Sequence, residues 1–273
     1  MTPVAAPVLA LDRIGVEWPG PEPGAPAYVA VENVSLTVGR GEFVSVVGPT
    51  GCGKSTLLNV AAGLLAPSSG SVVVAGERLS GLNRRAGYLF QADVLMPWRN
   101  ARENVEAGLI FAGVEQAQAR RRADEWLRRV GLSGFGDRYP HQLSGGMRKR
   151  VALAQVLILE PEILLMDEPF AALDVQTRQL MENELLELWS AERRSVVFIT
   201  HDLEEAIALS DRIVLLSAAP RTRPIGEFPI DLPRPRDVAE IRLTPRFLEL
   251  HGRIWAALRA EVLKAYAVSQ RLG

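Results

Sequence analysis

The segment GPTGCGKST at residues 48–56 constrains the fold more than any other part of this 273-residue chain. It fits the pattern G-x-x-x-x-G-K-[ST], with the β-rich run EFVSVV before it and the apolar run TLLNVAAGLL after it. Gly48, Gly51 and Gly53 let the backbone turn tightly, so that successive N–H groups point at phosphate oxygens. A helix that follows directly presents its positive end to the same oxygens. The sequence therefore predicts a phosphate-binding loop between a strand and a helix.

The side chains of this loop indicate a nucleotide bound together with a divalent cation. Lys54 can reach the β- and γ-phosphates, and the Ser55 hydroxyl can ligate Mg²⁺. We expect Cys52 to act through its backbone N–H, with a redox role for its sulfur as the alternative. The other loop residues expected to contact the nucleotide are Pro49, Thr50 and Thr56.

Four short apolar runs predict a parallel sheet that is covered on both faces. They are rich in β-branched residues and show no polar alternation, which is typical of strands buried on both sides. They are EFVSVVG (42–48), EILLMD (162–167), SVVFIT (195–200) and RIVLLS (212–217). The strands fall into two blocks, one before about residue 92 and one after about residue 160. Residues 93–157 read mostly as helix, with a stripe of Ala123, Trp126, Leu127 and Val130 on one face.

Acidic residues and a histidine follow two of these strands. The run ILLMDEP ends in Asp167 and Glu168, and SVVFIT is followed by His201. Groups at the carboxyl ends of parallel strands face the ligand crevice. Asp167 can therefore hold Mg²⁺ directly or through water, Glu168 can polarise an attacking water, and His201 can donate to a γ-phosphate. A simple turn at the strand exit is the structural alternative.

The composition limits the partners that the protein can have. The net charge is −1, which argues against a dedicated nucleic-acid binder. The single cysteine excludes an internal disulfide and favours a reducing compartment. No run reaches the ~18 uninterrupted apolar residues that a membrane span needs. We therefore expect a cytosolic chain that is not inserted in a membrane.

Residues 219–236 differ in amino-acid composition from the sequence before them. Their sequence, APRTRPIGEFPIDLPRPR, is too rich in proline for a helix or a central strand, and we interpret it as a linker. An amphipathic helix is predicted after it, with apolar residues three or four positions apart at Phe247, Leu250, Ile254, Leu258 and Val262.

One further segment, LSGGMRKR at residues 143–150, has no carboxylate, histidine or thiol. Together with the phosphate loop it completes a set of motifs that resembles the ATP-binding subunit of an ABC transporter. The set comprises GPTGCGKST, Gln91 after YLF, LSGGM, ILLMDEP, AALD (171–174) and His201. The resemblance covers residues 9–218.

The resemblance implies an α/β fold with a RecA-like P-loop core, an antiparallel N-terminal β subdomain and an inserted helical subdomain. The core would comprise residues 9–92 and 158–218, and the helical subdomain residues 93–157. Residues 219–273 would form the proline-rich linker and the C-terminal amphipathic helix.

The resemblance also implies roles for residues whose chemistry alone does not give one. Trp18 would stack on adenine, with Tyr28 as the runner-up and a core tryptophan as the structural alternative. Gln91 would contact Mg²⁺ and the attacking water. Ser144, Gly145 and Gly146 would face the γ-phosphate of ATP held by the opposite subunit, and Asp174 would lie at the dimer seam. Where the family usually has glutamine this chain has Met147, which puts any side-chain hydrogen bond from that position in doubt. Arg148, Lys149 and Arg150 are interpreted either as solvated or as phosphate-facing cations.

The implied function is ATP hydrolysis by a homodimer that drives integral membrane permease subunits from the cytoplasmic face of a bacterial inner membrane. A solute-binding protein would take part indirectly, and no nucleic acid would be involved. LSGGMR, PFAALD and DLPRPR (231–236) most resemble the nitrate, sulfonate and taurine importer group. The alternatives are a non-transport ABC ATPase of DNA repair or translation, a P-loop GTPase or small-molecule kinase, and a nonhydrolytic regulatory binder.

Overall fold

The computed structural model of the chain describes residues 6–20, 22 and 24–272. Its strands are β1 (Leu9–Trp18), β2 (Tyr28–Val38), β3 (Phe43–Val47), β4 (Ser69–Val74), β5 (Glu77–Arg78), β6 (Ala86–Leu89), β7 (Ile163–Asp167), β8 (Ser195–Thr200), β9 (Arg212–Leu216) and β10 (Pro224–Pro229). Its helices are α1 (Lys54–Ala61), α2 (Ala101–Phe111), α3 (Gln116–Arg129), α4 (Gly145–Leu157), α5 (Val175–Glu192), α6 (Leu203–Leu209), α7 (Val238–Ile241) and α8 (Pro245–Leu272), with a 3₁₀ turn at Pro140–Gln142.

A six-stranded sheet forms the centre of the protein, in the order β10-β9-β3-β8-β7-β6. Strands β9, β3, β8, β7 and β6 run parallel, and β10 is antiparallel to β9. The four apolar runs of the sequence correspond to β3, β7, β8 and β9. Every residue of β3, β7 and β8 is buried, which confirms the prediction of strands covered on both faces.

A second sheet is antiparallel and has the strand order β2-β1-β4-β5. Strand β1 pairs with β2 on one side and β4 on the other, and the register sets Trp18 opposite Tyr28. Together the two sheets confirm the predicted fold class, an α/β P-loop core with an antiparallel β part near the N-terminus.

Between β6 and β7, all of which is described, the chain forms helices and turns but no strand. Helix α2 begins at a capping box, in which Asn100 and Glu103 each accept a hydrogen bond from the other's backbone N–H. Ala123, Trp126 and Leu127 are buried on α3, as the stripe predicts. We propose that these helices form the inserted subdomain, residues 93–157.

The residues after β9 belong to the body of the protein. Strand β10 extends the main sheet at its edge, the position where proline is tolerated in a strand. The interpretation of residues 219–236 as a linker is therefore wrong. Residues 224–229 form an edge strand, which proline permits because such a strand pairs on one side only. The apolar face of α8 is buried in the main core through Phe247, Leu250, Ile254 and Leu258.

Helix α5 carries a carboxyl group in the protein interior. The Glu182 side chain is fully buried, with one oxygen 3.3 Å from Arg242 and the other without a hydrogen-bond partner among the described residues. Burial raises the pKa of Glu182 to about 7, although the nearby Arg242 opposes the shift. The folded protein therefore holds this proton over a pH range in which the unfolded chain has lost it.

The Glu182→Gln variant is expected to remove part of the pH dependence of stability. Because the pKa is higher in the folded state, the stability of the wild type should fall as the pH rises from about 4.5 to about 7. At about 1.4 kcal/mol per pKa unit, the rise from 4.5 to about 7 limits the loss of unfolding free energy to between about 3 and 4 kcal/mol. Chemical unfolding between pH 5 and 8.5 measures it. The exposed Glu187 on the same helix gives the control Glu187→Gln. Parallel wild-type and Glu182→Gln curves would contradict the prediction.

Candidate nucleotide-binding site

The main sheet brings the predicted phosphate loop and the predicted acids to one edge. The loop follows β3, Asp167 ends β7 and is followed by Glu168, and His201 follows β8. Strands β3, β8 and β7 are parallel neighbours, so their carboxyl ends open on the same side. This edge is where open α/β sheets bind their ligands.

The phosphate loop is a compact turn closed by its own lysine. Lys54 is buried and donates to the carbonyl oxygens of Gly48, at 3.0 Å, and Pro49, at 3.1 Å. Gly53 has a φ of 100°, which favours glycine, and directly precedes α1 with no side-chain cap. The N–H groups at the start of α1 are thus available to a bound anion. Cys52 is only 1% exposed, and burial raises the pKa of its thiol, which argues against the redox alternative.

Two oxygen ligands meet beside the loop. The Ser55 hydroxyl donates to Asp167 Oδ1 at 2.9 Å, and burial raises the pKa of the Asp167 carboxyl while the bond from Ser55 opposes the shift. Sequence reasoning missed Tyr88, whose hydroxyl lies 3.4 Å from Asp167 Oδ2 and 3.1 Å from Asn59 Oδ1. A hydroxyl beside a carboxylate, open to phosphate oxygens, is the set of oxygen donors that Mg²⁺ prefers. Among the described residues no group of three or more His, Cys, Asp or Glu offers another metal site.

Glu168 connects the loop lysine with the histidine. One carboxylate oxygen lies 3.6 Å from Lys54 Nζ, and the other lies 2.9 Å from His201 Nδ1. Glu168 has a φ of 43°, uncommon for a residue with a side chain, and its N–H donates to Ile199 on the neighbouring strand. The structure therefore brings these three predicted residues together.

Gln91 lies apart from this group. Its side chain is exposed, and in the described part of the chain its only hydrogen bond runs from Lys149 Nζ to its own carbonyl oxygen, at 2.6 Å. The buried Lys149 also forms an ion pair with Asp93 at 3.0 Å, and Arg148 reaches the same carboxylate at 3.1 Å. These two cations thus attach α4 to the Gln91 loop. The interpretation of Lys149 as solvated is wrong, because its side chain is buried, whereas the Arg148 side chain is 36% exposed and Arg150 pairs with Glu184. Sequence reasoning missed Asp93 and this role of Lys149, because pairing across 56 positions leaves no local signal.

The segment LSGGM lies at the start of α4 and not at the phosphate loop. Ser144 is the exposed N-cap of this helix and accepts a bond from the Met147 N–H at 3.3 Å. A methyl group on Gly146 would lie 2.7 Å from Thr177 on α5, whereas one on Gly145 would have room. Asp174 caps α5 by accepting from the Thr177 N–H at 3.0 Å. No hydrogen bond or ion pair of the described residues joins this region to the phosphate loop.

The two aromatic candidates for adenine are cross-strand partners. Trp18 is 43% exposed and Tyr28 is 47% exposed, at opposing positions of β1 and β2. Directly opposed residues of an antiparallel pair point to the same face. The core interpretation of Trp18 is therefore wrong, and the geometry does not choose between the two rings.

A cleft of about 870 Å³ borders the site. Its walls are the loop tip at Pro49 and Thr50, the segment after His201, and the α8 side chains of Trp255 and Tyr266. The C-terminal helix thus lies beside the nucleotide site.

Comparison with known proteins assigns the class. Residues 31–171 match the ABC transporter family, and the chain belongs to that family as an ATP-hydrolysing, ATP-binding subunit. The chain is 43% identical over 226 residues to the taurine import ATP-binding protein TauB of Escherichia coli (strain K12), covering 81% of this chain and 88% of TauB. It is 47% identical over 237 residues to an uncharacterized ABC transporter ATP-binding protein of Methanocaldococcus jannaschii, covering 86% of each.

Solved structures agree with the family assignment. A dimeric bacterial ABC transporter cassette superposes with a TM-score of 0.72 at 33% identity, covering 82% of this chain and 99% of that one. A dimeric cassette in a post-hydrolysis state, bound to ADP and phosphate, gives a TM-score of 0.71 at 33% identity with the same coverage. No helix among the described residues has the length and apolar character needed to cross a membrane.

Proposed function

We propose that the chain energises an importer for a small solute of the nitrate, sulfonate or taurine type, all of which carry a nitrate or sulfonate oxyanion. The observation that carries this proposal is the 43% identity to TauB over 88% of that protein. The chain would act at the cytoplasmic face of the membrane as a homodimer beneath two permease subunits, with a solute-binding protein as an indirect partner. The solute itself would not contact this subunit.

The chemistry that we propose is in-line attack of water on the γ-phosphate of ATP. Glu168 would polarise the water, because it is an acid at the strand end beside Lys54. Lys54 would neutralise charge on the β- and γ-phosphates once ATP replaces its bonds to the loop carbonyls. His201 would donate to the γ-phosphate through its Nε2–H, and its Nδ1 would then leave the Glu168 carboxylate, since a neutral imidazole has only one N–H. Little covalent work is asked of these residues, since positioning and charge neutralisation carry most of the rate.

Ser55 and Asp167 would hold Mg²⁺, with Gln91 joining when the site closes. When bound, the cation neutralises charge on the phosphate oxygens. The 2.9 Å bond between Ser55 and Asp167 supports this pair, since it keeps both oxygens next to each other.

We propose that LSGGM completes the site of a second copy. Ser144 and Gly145 are exposed or have room beside them, and no bond of the described residues turns them towards their own loop. The dimeric state of the two solved relatives supports a partner copy at this face. Asp174 caps α5 where Thr177 packs against Gly146, so it would also lie near that partner.

Two exposed aromatic residues support a permease contact around residues 92–115. Trp98 is 73% exposed and Phe111 is 75% exposed, at the two ends of the segment that contains α2. A bound permease would cover these two rings and remove their apolar surface from water. The Gln91 loop leads directly into this segment, so the same surface connects to the nucleotide site.

The Trp18→Ala variant is expected to weaken ATP binding about tenfold or more, since stacking of a base on an aromatic ring contributes about 1–3 kcal/mol. The Tyr28→Ala variant should weaken it much less, and is a matched control because both rings are similarly exposed on adjacent strands. Equilibrium binding of ATP and of tripolyphosphate measures the effect. Tripolyphosphate has no base, so its affinity should be unchanged. A larger loss in Tyr28→Ala would assign adenine to Tyr28 instead.

The test of the importer function is purification of the chain with the permease encoded beside it, followed by ATP turnover in vesicles with the matching solute-binding protein. Taurine, alkanesulfonates and nitrate are compared with solutes of similar size that have no nitrate or sulfonate group. Stimulation by one of the first set supports the proposal. Stimulation only by a solute without such a group would contradict the solute class, and failure to bind any permease would contradict the importer function.

A further inference from the structure

The motif DLPRPR contains two arginines whose contacts the proposed function does not explain. Arg236 is 7% exposed, and its Nη1 donates to the carbonyl oxygens of Ser210 at 2.8 Å, Ala208 at 3.0 Å and Ile207 at 3.4 Å. Its other nitrogens donate to carbonyls of its own segment, at Leu232 and Pro233. The guanidinium therefore lies at the C-terminal end of α6.

Arg234 binds the same end of that helix. Its Nη2 donates to the Leu209 carbonyl at 2.8 Å, and Nε and Nη2 lie 3.0 Å and 2.8 Å from Asp211 Oδ1. Its guanidinium stacks on Trp189, 4.1 Å from the ring centroid. The two arginines of DLPRPR thus donate hydrogen bonds to all four backbone carbonyls from Ile207 to Ser210.

These contacts suit the physical needs of a helix end. The last carbonyls of a helix have no partner within the helix, and a cation there also interacts favourably with the helix dipole. Arg236 has no ion pair with a carboxylate in the part of the chain that the structure describes. Burial lowers its pKa to about 10, which still leaves it charged at neutral pH. The carbonyl groups at the end of α6 therefore provide much of the stabilisation that offsets the cost of burying the Arg236 charge.

His201 of the proposed site lies just before the opposite end of α6. Asp202, directly after His201, caps the helix by accepting from the N–H groups of Glu204 and Glu205. At about 1.5 Å per residue, the seven residues of α6 span about 10 Å. Nearly all of its side chains are buried, so the helix is packed on all sides and a displacement at one end reaches the other.

We propose that Arg236, assisted by Arg234, is a positioning residue for His201 and acts through α6. The motif DLPRPR is then part of the catalytic unit, although it lies outside residues 9–218. This inference rests on the role of His201 in the proposed function. It predicts that substitutions in DLPRPR change the rate of turnover more than the affinity for nucleotide, since Arg236 does not contact the phosphate loop.

The Arg236→Met variant of the full-length chain tests the inference, because methionine fills much of the same space without donors or charge. The turnover number should fall about tenfold, since a misplacement of about 1 Å in a catalytic group can cost still more. The KM for ATP should stay within about twofold. The matched control is Arg246→Met, which removes a partly exposed arginine that pairs with Asp231 of the same motif and forms no hydrogen bond or ion pair with α6 among the described residues. It should retain wild-type turnover.

A double-mutant cycle with His201→Ala separates positioning from general loss of structure. If Arg236 acts through His201, then Arg236→Met should lower turnover little further in the His201→Ala background. A full additional tenfold loss there would overturn the inference, as would a folded Arg236→Met protein with wild-type turnover. If Arg236→Met does not fold, Arg236→Lys keeps the charge without the planar group and is measured in the same cycle. Wild-type turnover in His201→Ala itself would instead refute the proposed role of His201.

Discussion

The Glu168→Gln variant is expected to lower steady-state ATP turnover by about a hundredfold or more while ATP binding changes less than about twofold. Positioned acids and bases contribute typically 10²–10⁴-fold to a rate, and the amide cannot accept a proton. Glutamine has the same shape and can still bond to His201 and remain near Lys54, so the site should stay assembled. The variant should therefore accumulate as an ATP-bound dimer.

Phosphate release and size-exclusion chromatography with Mg²⁺-ATP measure both parts of this result. The control is Glu162→Gln, which removes an acid just before the same strand, where it pairs with Arg85 at the surface. That variant should behave as wild type. Wild-type turnover in Glu168→Gln would exclude Glu168 as the base, and loss of ATP binding would give it a structural role instead.

A mixed dimer of Lys54→Ala and Ser144→Arg chains is expected to regain turnover that neither variant shows alone. If each site combines the lysine of one copy with LSGGM of the other, one of the two sites in this mixed dimer is intact. The other site carries both defects. Lys54→Ala removes the buried loop cation, and Ser144→Arg places a large side chain at an exposed N-cap.

A second mixed dimer contains the same two substitutions in one chain, paired with a wild-type chain. Here both sites are defective if they are shared, but one is intact if each copy builds its site alone. If the sites are shared, only the first mixed dimer should turn over ATP. If each copy builds its own site, only the second should. Differently tagged chains allow each mixed dimer to be purified, and ATP turnover with bound-nucleotide stoichiometry gives the readout. Turnover only in the second mixed dimer would contradict the shared site.

The sequence predicts the parallel part of the fold well, because each central strand is covered on both faces and so reads as a continuous apolar run. It predicts β10 poorly. Residues 224–229 have Pro224, Gly226 and Pro229, which reads as irregular backbone, yet an edge strand needs hydrogen bonds on one side only. The edge position is a property of the assembled sheet and is invisible along the chain.

In the candidate site, too, the sequence predicts residues that follow a local pattern and misses those brought together by the assembled fold. Lys54 and Ser55 begin the helix that follows β3, Asp167 ends β7, and Glu168 and His201 directly follow β7 and β8. The local pattern therefore predicts these five residues, and the structure brings them together. Tyr88 lies within a strand and reaches Asp167 only because β6 and β7 are neighbours.

Lys149 and Arg236 resemble ordinary surface cations in the sequence. Their partners are backbone carbonyls or an acid far along the chain. A carbonyl group is present at every position and therefore gives no sequence pattern. Buried cations that bind carbonyls can therefore be recognised only in the folded structure.

Cys52, the one cysteine of the chain, lies within the loop that would grip the phosphates, and its side chain is buried. Electrophiles and peroxides react with thiolates that they can reach, and this group is both covered and reluctant to ionise. Alkylating reagents should therefore leave the loop unmodified while they inactivate enzymes with open cysteines. ATP turnover by this subunit should then continue under oxidative or electrophilic stress.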